Sequence, residues 1–99
     1  QAFAATAGLG DVARKQGHIV KALKFYRRAL ALDPAAPGAI NACAWCMEYL
    51  GDLHGAAQYL AEGLARAPHA NELRAPLAAI LERLGRGEEA AQVRAQAAT

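Results

Sequence analysis

The sequence contains little of what several large classes of protein require. Two cysteines among 99 residues are too few for a disulfide-stapled scaffold, and they favour a reducing compartment such as the cytoplasm. Eleven basic residues against nine acidic ones give a net charge of +2, far from the dense positive charge of a nucleic-acid-binding domain. No apolar run approaches the roughly 18 residues that a membrane-spanning helix needs. The length indicates a single domain, too small for a large enzyme with an enclosed active site.

The most informative pattern is an internal repeat with a period of 34 residues, which superposes Pro34 on Pro68 and Phe25 on Tyr59. Because proline, glycine and leucine all coincide at this spacing, the abundance of alanine does not explain the pattern. The sequence therefore predicts one domain, residues 1–99, with three units at about 3–36, 37–70 and 71–99. The positions that carry the same residue in all three units are Gly17, Gly51 and Gly85, and Ala22, Ala56 and Ala90.

Within each unit the apolar residues recur every three or four positions, which indicates helices, and no stretch alternates as a strand does. Gly17 separates the two helical stretches of the first unit, since glycine readily adopts the positive φ that ends a helix. The Asp33-Pro34 pair ends the second stretch, because proline disfavours helix in the residue before it. Pro76 lies about four residues into the fifth helix and should delay or kink its start. The prediction is an all-α domain with six helices, near 3–16, 19–32, 37–50, 53–66, 72–84 and 87–98.

The first unit resembles the tetratricopeptide repeat (TPR), a helix–turn–helix of the same period. The later units depart from the family pattern, because its Leu-Gly pair becomes Cys43-Ala44 and then Leu77-Ala78. The large residue that usually opens the first helix is also replaced, by Thr6 in the first unit. The residues that carry the resemblance are Leu9, Gly10, Gly17, Ala22, Tyr26, Ala29, Asp33 and Pro34.

The resemblance implies an α-solenoid, a right-handed superhelix of three stacked units in which the first helix of each unit lines a concave groove. It also implies a protein–protein interaction scaffold without enzymatic activity, cofactor or metal, which holds a peptide segment or a partner protein in that groove. Some TPR domains grip a C-terminal carboxylate with lysine, asparagine or arginine at set groove positions, and a ligand of that kind is not expected here. The corresponding positions hold Ala7, Asp11, Ala42, Glu72 and Pro76.

The single tryptophan, Trp45, is the strongest candidate for a partner-binding residue. At about 100° per residue it points roughly 160° away from the apolar face of the third helix, toward the implied groove. Exposed Trp and Tyr one turn apart offer a large rigid contact area at little entropic cost. The alternative is that Trp45 packs on a neighbouring helix or on a preceding segment. The candidate binding residues are Asn41, Trp45, Glu48 and Tyr49 on the third helix, Asp11, Arg14 and Lys15 on the first, and Glu82 and Arg83 on the fifth.

Cys43 and Cys46 are spaced as in a CxxC motif, which leaves a thiol-redox or metal-binding function as an alternative. Redox chemistry uses this motif at a helix N-terminus, where the thiol pKa is lowered, whereas here it falls in mid-helix. Zinc would need two more ligands, and the spacing of the histidines supplies no pair. Both cysteines lie on the face that the repeat packs, and we expect them to be small buried hydrophobes.

The two ends of the sequence differ in polarity. Arg94 in the last helix falls where the earlier units have Tyr26 and Leu60, and a polar outer face is typical of a terminal repeat. The alanine-rich start shows no comparable cap and has neither an initiator methionine nor a leader. We therefore expect a piece of a longer chain. A further alternative is that the chain is an oligomerising segment, which would form a homo-oligomer, or an accessory segment of a larger enzyme.

Overall fold

A computed structural model of the chain describes residues 2–96, which form six α-helices arranged as three successive pairs. One 3₁₀ turn, Asn71–Leu73, precedes the fifth helix. The described residues contain no strand, so the all-α prediction is confirmed, while the predicted end of the last helix at 97–98 lies outside them. The helices are α1 (Phe3–Lys15), α2 (Ile19–Leu32), α3 (Pro37–Tyr49), α4 (Leu53–Arg66), α5 (Arg74–Arg83) and α6 (Gly87–Ala95).

The turn inside each pair has the same geometry in all three units. Gly17, Gly51 and Gly85 adopt φ values of 81°, 89° and 79°, which only glycine tolerates without strain. In the second unit the Asp52 amide donates a hydrogen bond to the Met47 carbonyl, 2.8 Å away, and so satisfies one of the free carbonyls at the end of α3. The repeated glycines therefore fix where the first helix of each unit ends.

Helix starts follow the local sequence signals. Pro37 lies in the first turn of α3, where its missing N–H has no helical partner to lose. The Asp52 side chain accepts a hydrogen bond of 2.9 Å from the Gly55 amide and caps α4. The predicted effect of Pro76 is confirmed, because α5 begins only at Arg74, after the 3₁₀ turn, and Pro76 occupies its first turn.

The pairs stack side by side. Within each unit the first helix packs on the second, and between units α2 packs on α3 and α4 packs on α5. Small residues permit these close approaches: Ala22, Ala56 and Ala90 are completely buried. A Cβ at Gly63 would lie 2.8 Å from the Ile40 side chain, so this helix crossing has room only for glycine. The result is a layered stack in which the core runs continuously through all three units.

Among residues 2–96 the longest helices have 14 residues, and none has the length and apolar character of a membrane span.

Candidate binding groove

The two aromatic side chains of α3 project outward as predicted. Trp45 is 42% exposed and Tyr49 is 67% exposed, although both belong to a helix whose opposite face is buried. Their rings stack with centroids 5.5 Å apart and an angle of 25° between the ring planes. The predicted outward orientation of Trp45 is confirmed, although its partly covered ring also lies against Arg14 of the neighbouring helix α1. Packing of Trp45 on a preceding segment stays a prediction. The pair forms a continuous exposed aromatic surface, which is typical of protein-binding hot spots.

A cavity of about 310 Å³ lies beside Trp45, between α1 and α3. Four of the predicted binding residues meet there, Asp11 and Arg14 from α1 with Asn41 and Trp45 from α3. The other three lining residues, Tyr26, Gly38 and Ala42, are not among the predicted binding residues.

Tyr26 is the informative omission, because its ring is buried under Gly10 while its hydroxyl reaches the groove. The hydroxyl donates a hydrogen bond of 2.5 Å to Asp11 Oδ1 and accepts one of 3.2 Å from Arg14 Nε. Burial, together with the bond to Asp11, raises the pKa of Tyr26 to about 12, so the phenol stays protonated as a donor. A buried tyrosine hydroxyl requires a hydrogen-bond partner, and that requirement is the one sequence signal that could have indicated a polar neighbour, although not which helix supplies it.

Arg14 links this network to the aromatic pair. Its guanidinium carbon lies 5.7 Å from the centroid of the Trp45 ring, within the range of a cation–π interaction. The hydrogen bond to Tyr26 raises the pKa of Arg14, with the charge of Asp11 acting in the same direction. The Arg14 guanidinium is therefore positioned by two contacts, the hydrogen bond from Nε to the Tyr26 hydroxyl and the face of the Trp45 indole.

The acidic groove candidates are already paired within the chain. Glu48 of α3 accepts a hydrogen bond of 2.5 Å from Arg83 of α5, which joins the second and third units on the groove side. Glu82 accepts two bonds of 3.0 Å from Arg94 of α6, and this pairing lowers the pKa of Glu82. Lys15 is exposed at the end of α1, and it does not line the cavity that Asp11 and Arg14 share.

Cys43 and Cys46 are free thiols with completely buried side chains. Burial raises the pKa of Cys43 to about 12 and also raises the pKa of Cys46, so both resist forming the thiolate that redox chemistry and metal binding require. Within residues 2–96 no three histidine, cysteine, aspartate or glutamate side chains are grouped as a metal site. Cys43 and Cys46 therefore have the environment of packed core residues, as the repeat register predicted.

A second cavity, of about 340 Å³, lies between α4, α5 and α6. Its rim includes Arg86 and Glu89, which form an ion pair of 2.7 Å and so satisfy each other. No tryptophan or tyrosine lines it. The groove beside Trp45 is therefore the better candidate for a protein-binding surface.

Comparison with known proteins agrees with this architecture. A family model described as tetratricopeptide repeat matches residues 6–98. Two solved structures of MamA AMB-1, in different crystal forms, superpose with TM-scores of 0.80 and 0.76 at 17% and 18% sequence identity. They cover 97% and 92% of this chain, which spans 52% and 54% of the MamA chains, about half their length. No curated protein matches the sequence.

The repeat and its fold define a helical-repeat protein of the kind that serves as a protein-interaction scaffold, a class that is typically non-catalytic. The chain belongs to the tetratricopeptide repeat family.

Proposed function

We propose that this domain binds an extended segment of a partner protein in the groove formed by α1, α3 and α5. The observation that carries the proposal is the stacked Trp45–Tyr49 pair, exposed beside the open pocket between α1 and α3. Large aromatic side chains exposed in a concave surface supply much of the binding energy in protein interfaces. A folded domain that exposes a stacked Trp–Tyr surface has its principal contact site there.

The groove is held in shape before any ligand arrives. The Tyr26 hydroxyl orients Arg14, which lies against the Trp45 ring, and Arg83 of α5 pairs with Glu48 of α3. A surface whose side chains are already ordered loses less conformational entropy on binding. The groove therefore favours a ligand that fits its present geometry.

The polar groups beside the aromatic pair suit a peptide backbone. The Asn41 side chain carries both a hydrogen-bond donor and an acceptor, and it lines the same cavity as Trp45. Its position lets one ligand peptide group bond to Asn41 while the adjacent side chain covers the indole. Asp11 lines the same cavity, and the Glu48–Arg83 pair lies between α3 and α5. These charges would set the direction of the bound segment.

The test compares three variants by quantitative affinity measurement against a partner captured with the wild-type domain. We expect Trp45→Ala and Tyr49→Ala each to weaken binding by about 10-fold or more, the usual loss at an aromatic hot spot. Val20→Ala is the matched control, because Val20 is an exposed apolar residue on α2 that lies outside the groove. Circular dichroism checks that each variant is folded. A folded Trp45→Ala protein with full affinity would contradict the proposal.

A further inference from the structure

One apolar stripe of α1 is exposed although its equivalents in the other units are buried. The stripe consists of Ala5, Leu9 and Val12, spaced four and three residues apart and therefore on one helical face. Leu9 is 50% exposed and Val12 is 53% exposed. We refer to these three residues as the α1 stripe.

The repeat register identifies what such a stripe packs against. One period after Leu9 and Val12 come Cys43 and Cys46, both 0% exposed. One period further come Leu77 and Ile80, with exposures of 4% and 2%. Ala5, which is exposed, likewise corresponds to buried Ala39 and Leu73.

The difference follows from the stacking order. In the second unit α2 packs on α3, and in the third unit α4 packs on α5, so the second helix of one unit covers the first helix of the next. The α1 stripe has the position and the apolar character of these covered surfaces. We propose that it is the docking surface for the second helix of one further repeat unit, carried by the same polypeptide ahead of α1.

The known crossings specify the chemistry of that helix. Gly63 of α4 lies between Ile40 and Leu73, and a Cβ there would be 2.8 Å from Ile40 and 3.2 Å from Leu73. Ala29 of α2 is the equivalent residue one period earlier and is completely buried. The docking helix therefore carries glycine or alanine one period before Ala29, and this small residue lies against Ala5.

A second copy of this chain is a poorer occupant. The exposed second helix of the last unit is α6, and at the position of Leu60 it carries Arg94. If α6 docked on the α1 stripe, the ion-paired Arg94 guanidinium would lose its contact with water and lie beside the apolar Leu9 and Val12. Burying a charge in this way is unfavourable. A symmetric α1–α1 contact would rest on one short stripe, whereas a stable interface buries on the order of 800 Å² on each partner.

The experiment measures the reaction rate of a thiol placed in the stripe, by Leu9→Cys, in the 99-residue domain and in the full-length encoded polypeptide. Cys43 and Cys46 form a silent background in the native protein because they are buried. We expect Cys at position 9 to react rapidly in the isolated domain and at least about 50-fold more slowly in the full polypeptide, where reaction requires local opening. Val20→Cys is the control and should react equally fast in both, since its equivalent in the second unit, His54, is also exposed. Val12→Cys repeats the test should Leu9→Cys fail to fold.

An equal rate at position 9 in both polypeptides overturns the proposal, whether no unit precedes α1 or such a unit packs elsewhere. Protection that already appears in the isolated domain and increases with protein concentration also overturns it, since a second copy would then be the occupant.

Discussion

Glu82 and Arg94 meet across the third unit at the same two positions that Arg14 and Tyr26 occupy in the first. Arg14 donates to the Tyr26 hydroxyl at 3.2 Å, whereas Arg94 donates two bonds of 3.0 Å to the Glu82 carboxylate. The same pair of repeat positions therefore holds a tyrosine hydrogen-bond network in the first unit and an ion pair in the third. In the second unit the position equivalent to Tyr26 and Arg94 holds Leu60, which is fully buried.

Because Leu60 is buried and Arg94 is exposed at equivalent repeat positions, their alanine variants should lose very different amounts of stability. Leu60→Ala should lower the free energy of unfolding by about 3 kcal/mol, because it removes a buried side chain and leaves a cavity. Arg94→Ala should change the unfolding midpoint little, because its ion pair with Glu82 is exposed to water. Urea unfolding followed by circular dichroism measures both. Comparable losses for the two variants would mean that α6 is held by this pair and not by its buried alanine.

A pair of glycines in α1 predicts opposite effects of the same substitution. A Cβ at Gly10 would lie 2.7 Å from the Tyr26 ring, so Gly10→Ala should destabilise the protein by about 1 to 3 kcal/mol through overpacking. At Gly8 a Cβ would meet nothing within 4 Å, and Gly8→Ala should stabilise the helix by about 0.5 to 1 kcal/mol. Thermal unfolding of the two variants tests the contrast. A Gly10→Ala variant as stable as the wild type would show that α1 and α2 leave room for a methyl group at this crossing.

The raised pKa of Tyr26 predicts a loss of stability at alkaline pH. The folded protein holds this proton up to about pH 12, whereas an ordinary tyrosine in the unfolded chain releases it near pH 10. The stabilisation is therefore complete below pH 10 and is lost as the pH rises from 10 to 12, because the unfolded state then binds fewer protons. Tyr26→Phe should remove this dependence, which amounts to about 2 to 3 kcal/mol over that interval.

The check is urea unfolding of wild type and Tyr26→Phe at several pH values between 8 and 12. Cys43 also has a raised pKa and contributes a loss in the same direction, but it is present in both proteins. The difference in unfolding free energy between the two proteins therefore isolates Tyr26. Parallel curves across this range would show that burial and the bond to Asp11 do not raise the pKa of Tyr26 in the folded state.

The sequence alone determined the features that depend on neighbours along the chain. The period placed the turns at Gly17, Gly51 and Gly85, and the rotation of about 100° per residue placed Trp45 opposite the buried face of α3. Pro76 correctly indicated a delayed α5, because the effect of proline on the first helical turn is local. The burial of Cys43 and Cys46 followed from the same helical register.

Only the tertiary structure decided which groove side chains are already engaged. The sequence grouped Glu82 with the groove residues, yet its carboxylate is bound by Arg94, and Glu48 is bound by Arg83, 35 residues away. It also placed Tyr26 in the core without indicating that its hydroxyl reaches Asp11. These contacts join different helices, and whether two side chains meet across a helix pair depends on the crossing angle and the axial distance. The repeat period fixes which helices are neighbours, but those two quantities emerge only when the small residues of the core bring the helices together.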